Sequence, residues 1–305
     1  MAFEDGFVSL AAAINRGGYH LEVSPGVRLP RPLLIVHCAQ GEGAWGATLN
    51  RVTLGQGAEF QLAEVFLGGA QSYLRTDITR ADLSDEANLT WIRLQRDSAQ
   101  ASHFSELQAT LAKSAQISIS QVNGACGWAR SSLKVNVAGE RSEAHINGLS
   151  FGRDHQHIDQ RVQVSHYAAN TTSSQIFKGI LKDHARGILN GKIFIAPNAQ
   201  KVNSSQLNHN LLLSSTAEAD TKPELEIYAD DVKANHGASV GKMDEDKLFY
   251  LLSRGISRAE SVQMLARAFV GDVLMKVPVK ILRDLLSAEV EALLPDFMSE
   301  METVK

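Results

Sequence analysis

Four short stretches between residues 144 and 195 alternate apolar with polar residues: AHINGLSF (144–151), RVQVSH (161–166), QIFKGIL (175–181) and GKIFI (191–195). A period of two is typical of β-strands. Similar stretches occupy 20–23, 33–37, 58–66, 89–94, 117–122, 133–137, 211–214 and 225–228. About a dozen strands with almost no helical pattern between them exclude a doubly wound α/β fold.

The strand pattern leaves a β-sandwich, a barrel and a β-solenoid as candidate folds. We favour a solenoid because strands recur roughly every eight to twelve residues for about 200 residues, which is long for one sandwich. Asn-Gly pairs, the usual hairpin signal, occur mainly at Asn147-Gly148 and Asn190-Gly191, inside apolar strand patterns. Asn and Ser alternate with Ile, Leu and Val, as stacked coils with internal ladders require. The sequence contains no strict repeat.

After residue 242 the pattern becomes helical. Asp244 is expected to cap a helix over 245–254, and Ser257 with Glu260 forms the capping box of a second helix over 258–275. Pro278 suits the first turn of a third helix, which is expected to end at Pro295. The predicted organisation is a short N-terminal helical segment (1–17), a β-helix core (18–242), a C-terminal helical domain (243–295) and a flexible tail (296–305).

Charge and composition exclude several classes of protein. The chain carries 30 Lys and Arg against 34 Asp and Glu, without a basic cluster, which argues against nucleic-acid binding. Its longest apolar run, around residues 32–36, is far shorter than the roughly 20 residues that cross a bilayer. The N-terminus lacks the basic start of a secretory signal, and the two cysteines, Cys38 and Cys126, suit a reducing compartment. We therefore expect a soluble, cytoplasmic protein.

Two short motifs invite an enzymatic interpretation that their context does not support. Gly148-Leu149-Ser150-Phe151-Gly152 matches the GxSxG elbow of hydrolases, which needs a strand, a sharp turn and a helix, yet another strand pattern follows. Residues 237–242, GASVGK, resemble a phosphate loop but have one residue too few between the glycines. Met243 stands where a magnesium-binding Ser or Thr belongs. We predict neither a serine nucleophile nor a nucleotide site.

Histidines and an aspartate suggest a metal site. His155, His157 and Asp159 have the spacing that directs strand side chains to one face, with His166 beyond them. Imidazoles and a carboxylate on one face could hold iron or zinc. The alternative is that these residues cap and cross-link the coil through hydrogen bonds.

A polar, glycine-containing junction at residues 230–239 separates the strands from the helices and contains His236. Such a junction is a plausible functional place, although a lone histidine is more often structural. The helices that follow could also be an ordinary cap on the open end of the solenoid.

Several segments resemble the SufB/SufD family, the scaffold subunits of the SUF system of iron–sulfur cluster assembly. The resemblance rests on PELEIYADDVK (223–233), HGASVG (236–241) and LFYLLSRGI (248–256). It is supported by His157-Ile158-Asp159, His166, Ser173, Lys178-Gly179 and NLLL (210–213). The HGA triplet is more similar to the SufD branch than to SufB.

This resemblance implies a right-handed parallel β-helix followed by a C-terminal α-helical domain, and a scaffold rather than an enzyme. A SufD-like chain is expected to pair with a SufB-like subunit through its last strands and to dock a SufC-like ABC ATPase through its helices. A homodimer is possible in isolation. The residues expected to contact the ATPase are Leu248, Phe249, Arg254, Met264 and Phe269.

The chain departs from the family pattern at its soft-metal ligands. Ala234 stands where SufD-like chains often have a cysteine, and Asn208 lies near the position of a SufB thiolate. The helical N-terminal region usual in the family is missing or reduced. The resemblance therefore leaves His236 as the one candidate ligand or acid–base group where iron and sulfide meet. No cofactor is expected on this chain alone, although a nascent iron–sulfur cluster could form at the SufB–SufD interface.

Two alternatives remain open at this point. One is a β-helix carbohydrate-active lyase or hydrolase that acts on an acidic polysaccharide, although such sites need clustered Asp, Lys or Arg on an exposed sheet. The other is a structural solenoid without a ligand.

Overall fold

The computed structural model describes residues 6–15 and 17–298. Its helices are α1 (Gly6–Ile14), α2 (Glu245–Ser253), α3 (Arg258–Leu274) and α4 (Lys280–Met298). Its strands are β1 (His20–Val23), β2 (Leu33–Ala39), β3 (Ala44–Leu54), β4 (Glu59–Gly68), β5 (Tyr73–Leu83), β6 (Asn88–Arg96), β7 (Ser102–Leu111), β8 (Gln116–Gly124), β9 (Trp128–Val137), β10 (Glu143–Gly152), β11 (His157–His166), β12 (Thr172–Leu181), β13 (Arg186–Ile195), β14 (Val202–Leu212), β15 (Glu218–Ile227) and β16 (Val232–Lys242).

The strands form two parallel eight-stranded sheets, and successive strands alternate between them. Sheet A runs from β1 to β15 through the odd-numbered strands, and sheet B runs from β2 to β16 through the even-numbered ones. Every strand therefore pairs with the strand one full turn away, which is the topology of a parallel β-solenoid of about eight turns. The predicted mainly β fold is confirmed, and neither a sandwich nor a barrel is present in the described part of the chain.

Alternation along each strand sends one set of side chains into the solenoid and the other set outward. The register stacks inward residues of successive turns into columns such as Leu54, Leu83, Leu111 and Val137. These columns build a buried aliphatic core that also contains Trp91 and Phe177. Because each coil buries its apolar side chains against the coils above and below, stacking is the main source of stability.

Four strands lie outside the stretches that the sequence analysis predicted: β3, β5, β7 and β16. The segment around residue 236 is not a junction loop, because β16 extends sheet B by pairing with β14 along its whole length. The described part of the N-terminal helix matches the prediction as α1, which packs on the outer face of sheet A against β3, β5 and β7.

The C-terminal helices pack on the outer face of sheet B and do not cap the open end of the solenoid. A second buried core joins Leu149, Phe151 and Ile180 of sheet B to apolar residues of α2, α3 and α4. The predicted caps are present: Asp244 accepts a hydrogen bond from the Lys247 amide, and Ser257 with Glu260 forms a capping box.

Helix α4 differs from the prediction at both ends. It begins at Lys280, two residues after Pro278, and it continues past Pro295 to Met298. The predicted end at Pro295 is therefore wrong. Of the predicted flexible tail, residues 299–305 lie outside the described residues. Among the helices that the structure describes, none is both long and apolar enough to cross a membrane.

Candidate functional site

The C-terminal end of the solenoid is open. Strands β15 and β16 are the last members of sheets A and B, and within residues 17–298 each pairs with a strand on one side only. Their side chains are mostly exposed or half-buried, in contrast to the buried strands at the middle of the solenoid. Unpaired N–H and C=O groups along such edges are templates for the strands of another chain.

His236 lies on this open end, in line with the interior of the solenoid. The register aligns Gln175 with Gln206 and Gln206 with His236, and both glutamines are buried. Strand alternation therefore places His236 on the inward-facing side of β16, where its side chain is exposed because no further turn covers it. An imidazole in this position is available to a group carried by a partner.

The neighbours of His236 supply no second soft ligand. Ala234 and Ala238 flank it in the same inward phase, and Asn208 on the next strand donates a hydrogen bond of 2.8 Å to the Thr221 hydroxyl. His209 points to the opposite face, 2.6 Å from the Ser239 hydroxyl. Within the described part of the chain, no group of three or more His, Cys, Asp or Glu side chains is arranged to hold a metal ion.

Neither thiol lies near the open end. Cys38 is exposed on β2, the first strand of sheet B, whereas His236 is on the last. Cys126 is buried and donates to the Ala101 carbonyl at 3.3 Å, and burial raises its pKa to about 12. A thiol with such a pKa stays protonated at neutral pH and is a poor ligand.

A lysine anchors the C-terminal helices α2, α3 and α4, which together form the helical module, to sheet B. The Lys178 ammonium lies 2.7 Å from both the Phe269 carbonyl and the Asp272 carboxylate, and 4.8 Å from the centre of the Phe269 ring. Phe269 is half-buried beneath it and packs on the second core. Leu248 is 1% exposed and belongs to the same core. The prediction that Leu248 contacts a partner is therefore wrong.

The other predicted docking residues are accessible. Phe249 is 71% exposed on α2 and Met264 is 46% exposed on α3. Arg254 ends α2, with its guanidinium 5.0 Å from the ring of the exposed Tyr250. Exposed large apolar side chains close to a cation are typical of protein-binding surfaces.

The histidines proposed as metal ligands have separate roles. His155 lies in a turn before β11 and stacks on His184 of the next coil. Asp159 is buried against Arg130 at 2.8 Å. His166 is buried with both ring nitrogens within 2.9 Å of the hydroxyls of Thr171 and Ser173, and burial lowers its pKa to about 4. The hydrogen bonds of Asp159 and His166 fit the cross-linking interpretation.

The two enzyme-like motifs both lie within strands. Ser150 is buried in β10, and Gly148 and Gly152 lie two residues before and after it on the same inward-facing side of the strand. A Cβ atom added at Gly148 would lie 2.3 Å from the Phe177 ring. Gly148 is thus a packing glycine rather than part of an elbow. The GASVGK segment is the second half of β16 and has no phosphate-loop turn.

A network of buried charges inside the N-terminal half of the solenoid is not among the features that the sequence predicted. Arg93 joins Glu64, at 3.2 Å, to Asp77, at 2.6 Å. His103 lies between Asp77, at 2.5 Å, and Asp97, at 2.7 Å. Each member of the network is at most 9% exposed and has a charged partner. The members are Glu64, Asp77, Asp97, Arg75, Arg93 and His103.

The charges of this network balance when His103 is protonated. Burial by itself lowers the pKa of His103, but the carboxylates of Asp97 and Asp77 outweigh burial and raise it. Burial likewise opposes ionisation of Asp77, yet Arg93 and His103 hold the pKa of this carboxyl below its usual range. Three carboxylates face two guanidinium groups, and the imidazole of His103 lies between two of these carboxylates, those of Asp77 and Asp97.

Comparison with known proteins identifies the family. Residues 37–269 match the family model described as "SUF system FeS cluster assembly, SufBD core domain". The chain is 33% identical over 275 residues to the iron–sulfur cluster assembly protein SufD of Escherichia coli. The aligned region covers 88% of this chain and 64% of that protein. The chain is 31% identical over 208 residues to a SufBD family protein of Synechocystis, covering 68% of this chain and 46% of the relative.

A SufBD family protein of Mycobacterium leprae is 32% identical over 197 residues, which cover 62% of this chain and 50% of the relative. The chain thus spans about half to two thirds of the length of these relatives. The family model covers most of the solenoid, β16 and the helices through most of α3. With more than half of its length matched, the chain belongs to the SufBD family of the SUF system for iron–sulfur cluster assembly.

Proposed function

We propose that the chain is a non-enzymatic, SufD-like scaffold subunit of a cytoplasmic iron–sulfur cluster assembly complex. In this proposal residues 18–242 pair with a SufB-like subunit and residues 243–298 dock a SufC-like ABC ATPase. It binds neither nucleic acid nor a membrane. The observation that carries the proposal is the open end of the solenoid, where two unpaired strands flank an exposed imidazole.

Pairing through the open end would provide hydrogen-bond partners for the unpaired backbone N–H and C=O groups of β15 and β16 at once. A partner strand beside β16 would bury Val240, which is 48% exposed, together with the inward face around His236. Without a SufB-like chain, the same edges can pair with those of a second copy, giving a homodimer. The same geometry would place cargo iron and sulfide beside His236 with thiolates supplied by the partner.

A charge introduced at the open end should break this pairing. Val240→Asp is expected to weaken binding of a SufB-like subunit at least about tenfold, because burying an unpaired carboxylate costs more than about 1.4 kcal/mol. Val36→Asp is the matched control, since Val36 is 46% exposed on β2 at the opposite end. The measurement is co-purification and titration by calorimetry. Equal loss in both variants, or none in Val240→Asp, would contradict pairing through β16.

Docking of the ATPase is proposed for the exposed side chains of α2 and α3, chiefly Phe249, Arg254 and Met264. Closure of an ATPase dimer bound there would pull on helices that Lys178 ties to sheet B. A ligand-driven change of this kind requires that the two states of the complex differ in affinity for nucleotide.

The role of His236 is tested by His236→Ala in a complex co-expressed with SufB-like and SufC-like subunits. We expect cluster assembly, followed by anaerobic absorption spectroscopy, to fall while both partners still co-purify, because the side chain is exposed and supports no packing. His155→Ala, which removes an exposed imidazole from a distant turn, is the control. Wild-type assembly by His236→Ala would refute the proposed role.

A further inference from the structure

Strand β15 gives the open end of the solenoid an acidic edge. Four of the five side chains that alternate along its outer face are carboxylates, and we call these five residues the acidic edge: Glu218, Asp220, Lys222, Glu224 and Glu226. The four carboxylate side chains are between 37% and 66% exposed. Because β15 is the last strand of sheet A, a strand of another chain that extends this sheet would lie directly beside them.

The carboxylates of the acidic edge have their cations on one side. Two of these cations belong to β13, the inner neighbour of β15, and the third belongs to the edge itself. The ion pairs are Arg186 with Asp220 at 2.5 Å, Arg186 with Glu218 at 3.6 Å, Lys192 with Glu226, and Lys222 with Glu224 at 2.5 Å. Among the described residues, therefore, three cations serve four carboxylates, and none of the three approaches from the open side.

Glu106 on β7 shows what a second cationic neighbour looks like on the same face of sheet A. Its carboxylate lies 2.8 Å from Arg80 on β5 and 3.6 Å from Lys134 on β9, so cations flank it on both sides. Opposite charges on neighbouring strands stabilise a sheet, and like charges destabilise it. The acidic edge has only its inner cationic strand, so a strand with Lys or Arg side chains would complete the same arrangement.

A proline restricts the backbone of the same edge. The amide of Glu218 donates to the Ala185 carbonyl, and the amide of Tyr228, just after the strand, donates to Ile195. Because successive residues of a strand direct their N–H groups to opposite sides, the odd-numbered residues of β15 direct theirs to the open side. Pro223 is one of them and has no N–H group. Charges and proline on an edge strand hinder pairing with unrelated strands.

The acidic edge is a poor partner for itself. An antiparallel pairing of β15 with the β15 of a second copy, centred on Lys222, would place Glu218 opposite Glu226 of the second copy. It would also place Asp220 opposite Glu224 of the second copy. Since like charges directly opposite each other destabilise a strand pair, this pairing is opposed at each of these positions.

Strand β16 has no comparable charge pattern. Of its eleven residues only Lys233 and Lys242, near its two ends, are charged. Between them the strand offers backbone groups, the exposed Val240 and the imidazole of His236. Selection by charge at the open end therefore depends on β15, whereas β16 can pair with strands of either charge.

We propose that the acidic edge selects the partner of the open end: it accepts a strand with Lys or Arg side chains on its outer face and disfavours the β15 of a second copy. This selection, which rests on the proposed pairing with a SufB-like subunit, specifies the chemistry of the partner strand. In the complex the carboxylates of β15 lie between cations of β13 and cations of the partner. The preference for the basic strand decreases as salt screens the exposed charges.

The triple variant Glu218→Gln/Glu224→Gln/Glu226→Gln tests this selection in the full chain at low salt. It keeps the shape of the side chains and the pair of Arg186 with Asp220. Binding of a SufB-like subunit, titrated by calorimetry, should weaken about tenfold, the combined effect of three lost cross-strand ion pairs. Self-association, measured by sedimentation equilibrium, should strengthen about tenfold because the like charges are removed.

The matched control removes three exposed carboxylates near the opposite end, in the variant Glu22→Gln/Glu59→Gln/Asp82→Asn. It should change either affinity less than about twofold. Weaker binding in both assays of the first triple variant, or no change in either, would overturn the proposal. Val240→Asp distinguishes this failure from a failure of pairing itself. If Val240→Asp prevents binding while the first triple variant behaves like the control, only the selection by charge is wrong; if Val240→Asp binds normally, the pairing is wrong.

Discussion

Replacing Arg93 by methionine is expected to lower the free energy of unfolding by about 3–5 kcal/mol. The guanidinium lies 3.2 Å from Glu64 and 2.6 Å from Asp77, inside the solenoid where neither carboxylate reaches water. Its loss removes the guanidinium that lies between the two acids and neutralises them. Methionine is flexible and fills much of the vacated space, so the effect reports mainly the unpaired charges rather than a cavity.

Arg51→Met is the matched control for Arg93→Met. Arg51 pairs with Asp82 at 3.0 Å, but its side chain is 61% exposed, and exposed ion pairs contribute less than about 1 kcal/mol. Urea denaturation at neutral pH, followed by far-UV circular dichroism, gives both values. Similar small losses in the two variants would mean that the interior network is hydrated and contributes little.

The sequence contains a partial signal for this network of buried charges. Phe60, Leu62, Glu64 and Phe66 share one phase of β4, so Glu64 occupies a position that the alternation marks as inward. The signal in the sequence is a charged residue at a position where the alternation calls for an inward apolar side chain. Arg93 occupies such a position on β6. The signal was missed because an isolated strand gives no reason to bury a charge, and only stacking brings the opposite charges together.

Most of the strands that were predicted have several large apolar side chains in the inward phase, as β4 has Phe60, Leu62 and Phe66. In β5 and β7 the inward phase includes Asp77 and His103, so the alternation of apolar with polar residues disappears. β16 was not predicted because its inward phase at the open end consists of small or polar side chains, Ala234, His236 and Ala238, which give no strong apolar alternation. Propensity therefore revealed the fold but not its polar interior.

The coil repeat is structural and leaves little trace in residue identity. One corner of each turn holds a residue with positive φ, and the position is occupied in successive turns by Gly57, Glu86, Ser114, Arg141, Asn170 and Lys201. Because the left-handed conformation tolerates different residues at a modest cost, no single residue type marks the corner. The absence of a strict sequence repeat is therefore compatible with a regular solenoid.

The candidate site was predicted only in part. The resemblance predicts His236 as a site residue, and its place on an open strand edge makes its side chain accessible. Leu248 was misplaced because a helix in a module that packs on a sheet has two faces, and the sequence does not show which one meets the sheet.

Replacing Phe151 by alanine is expected to loosen the helical module while the solenoid stays folded. Phe151 is 1% exposed on the outer face of sheet B, and its ring meets the edge of Phe297 at 5.7 Å. Removing a buried phenyl ring costs about 3–5 kcal/mol. Because this cost falls on the core between sheet B and the helices, amide exchange in α3 and α4 should accelerate at least about a hundredfold.

Phe177→Ala provides the matched comparison, since Phe177 is also 1% exposed on sheet B but faces the interior of the solenoid. This variant should lose protection in the strands around β12 and lower the stability of the solenoid itself. Hydrogen exchange with mass spectrometry on peptides from the strands and from α3 and α4 separates the two outcomes. Because sheet B divides the two apolar clusters, the two variants should lose amide protection in different segments. The same pattern of lost protection in both variants would mean that the helices and the solenoid unfold as a single unit. A partner that pulls on the helices would then act on the whole scaffold.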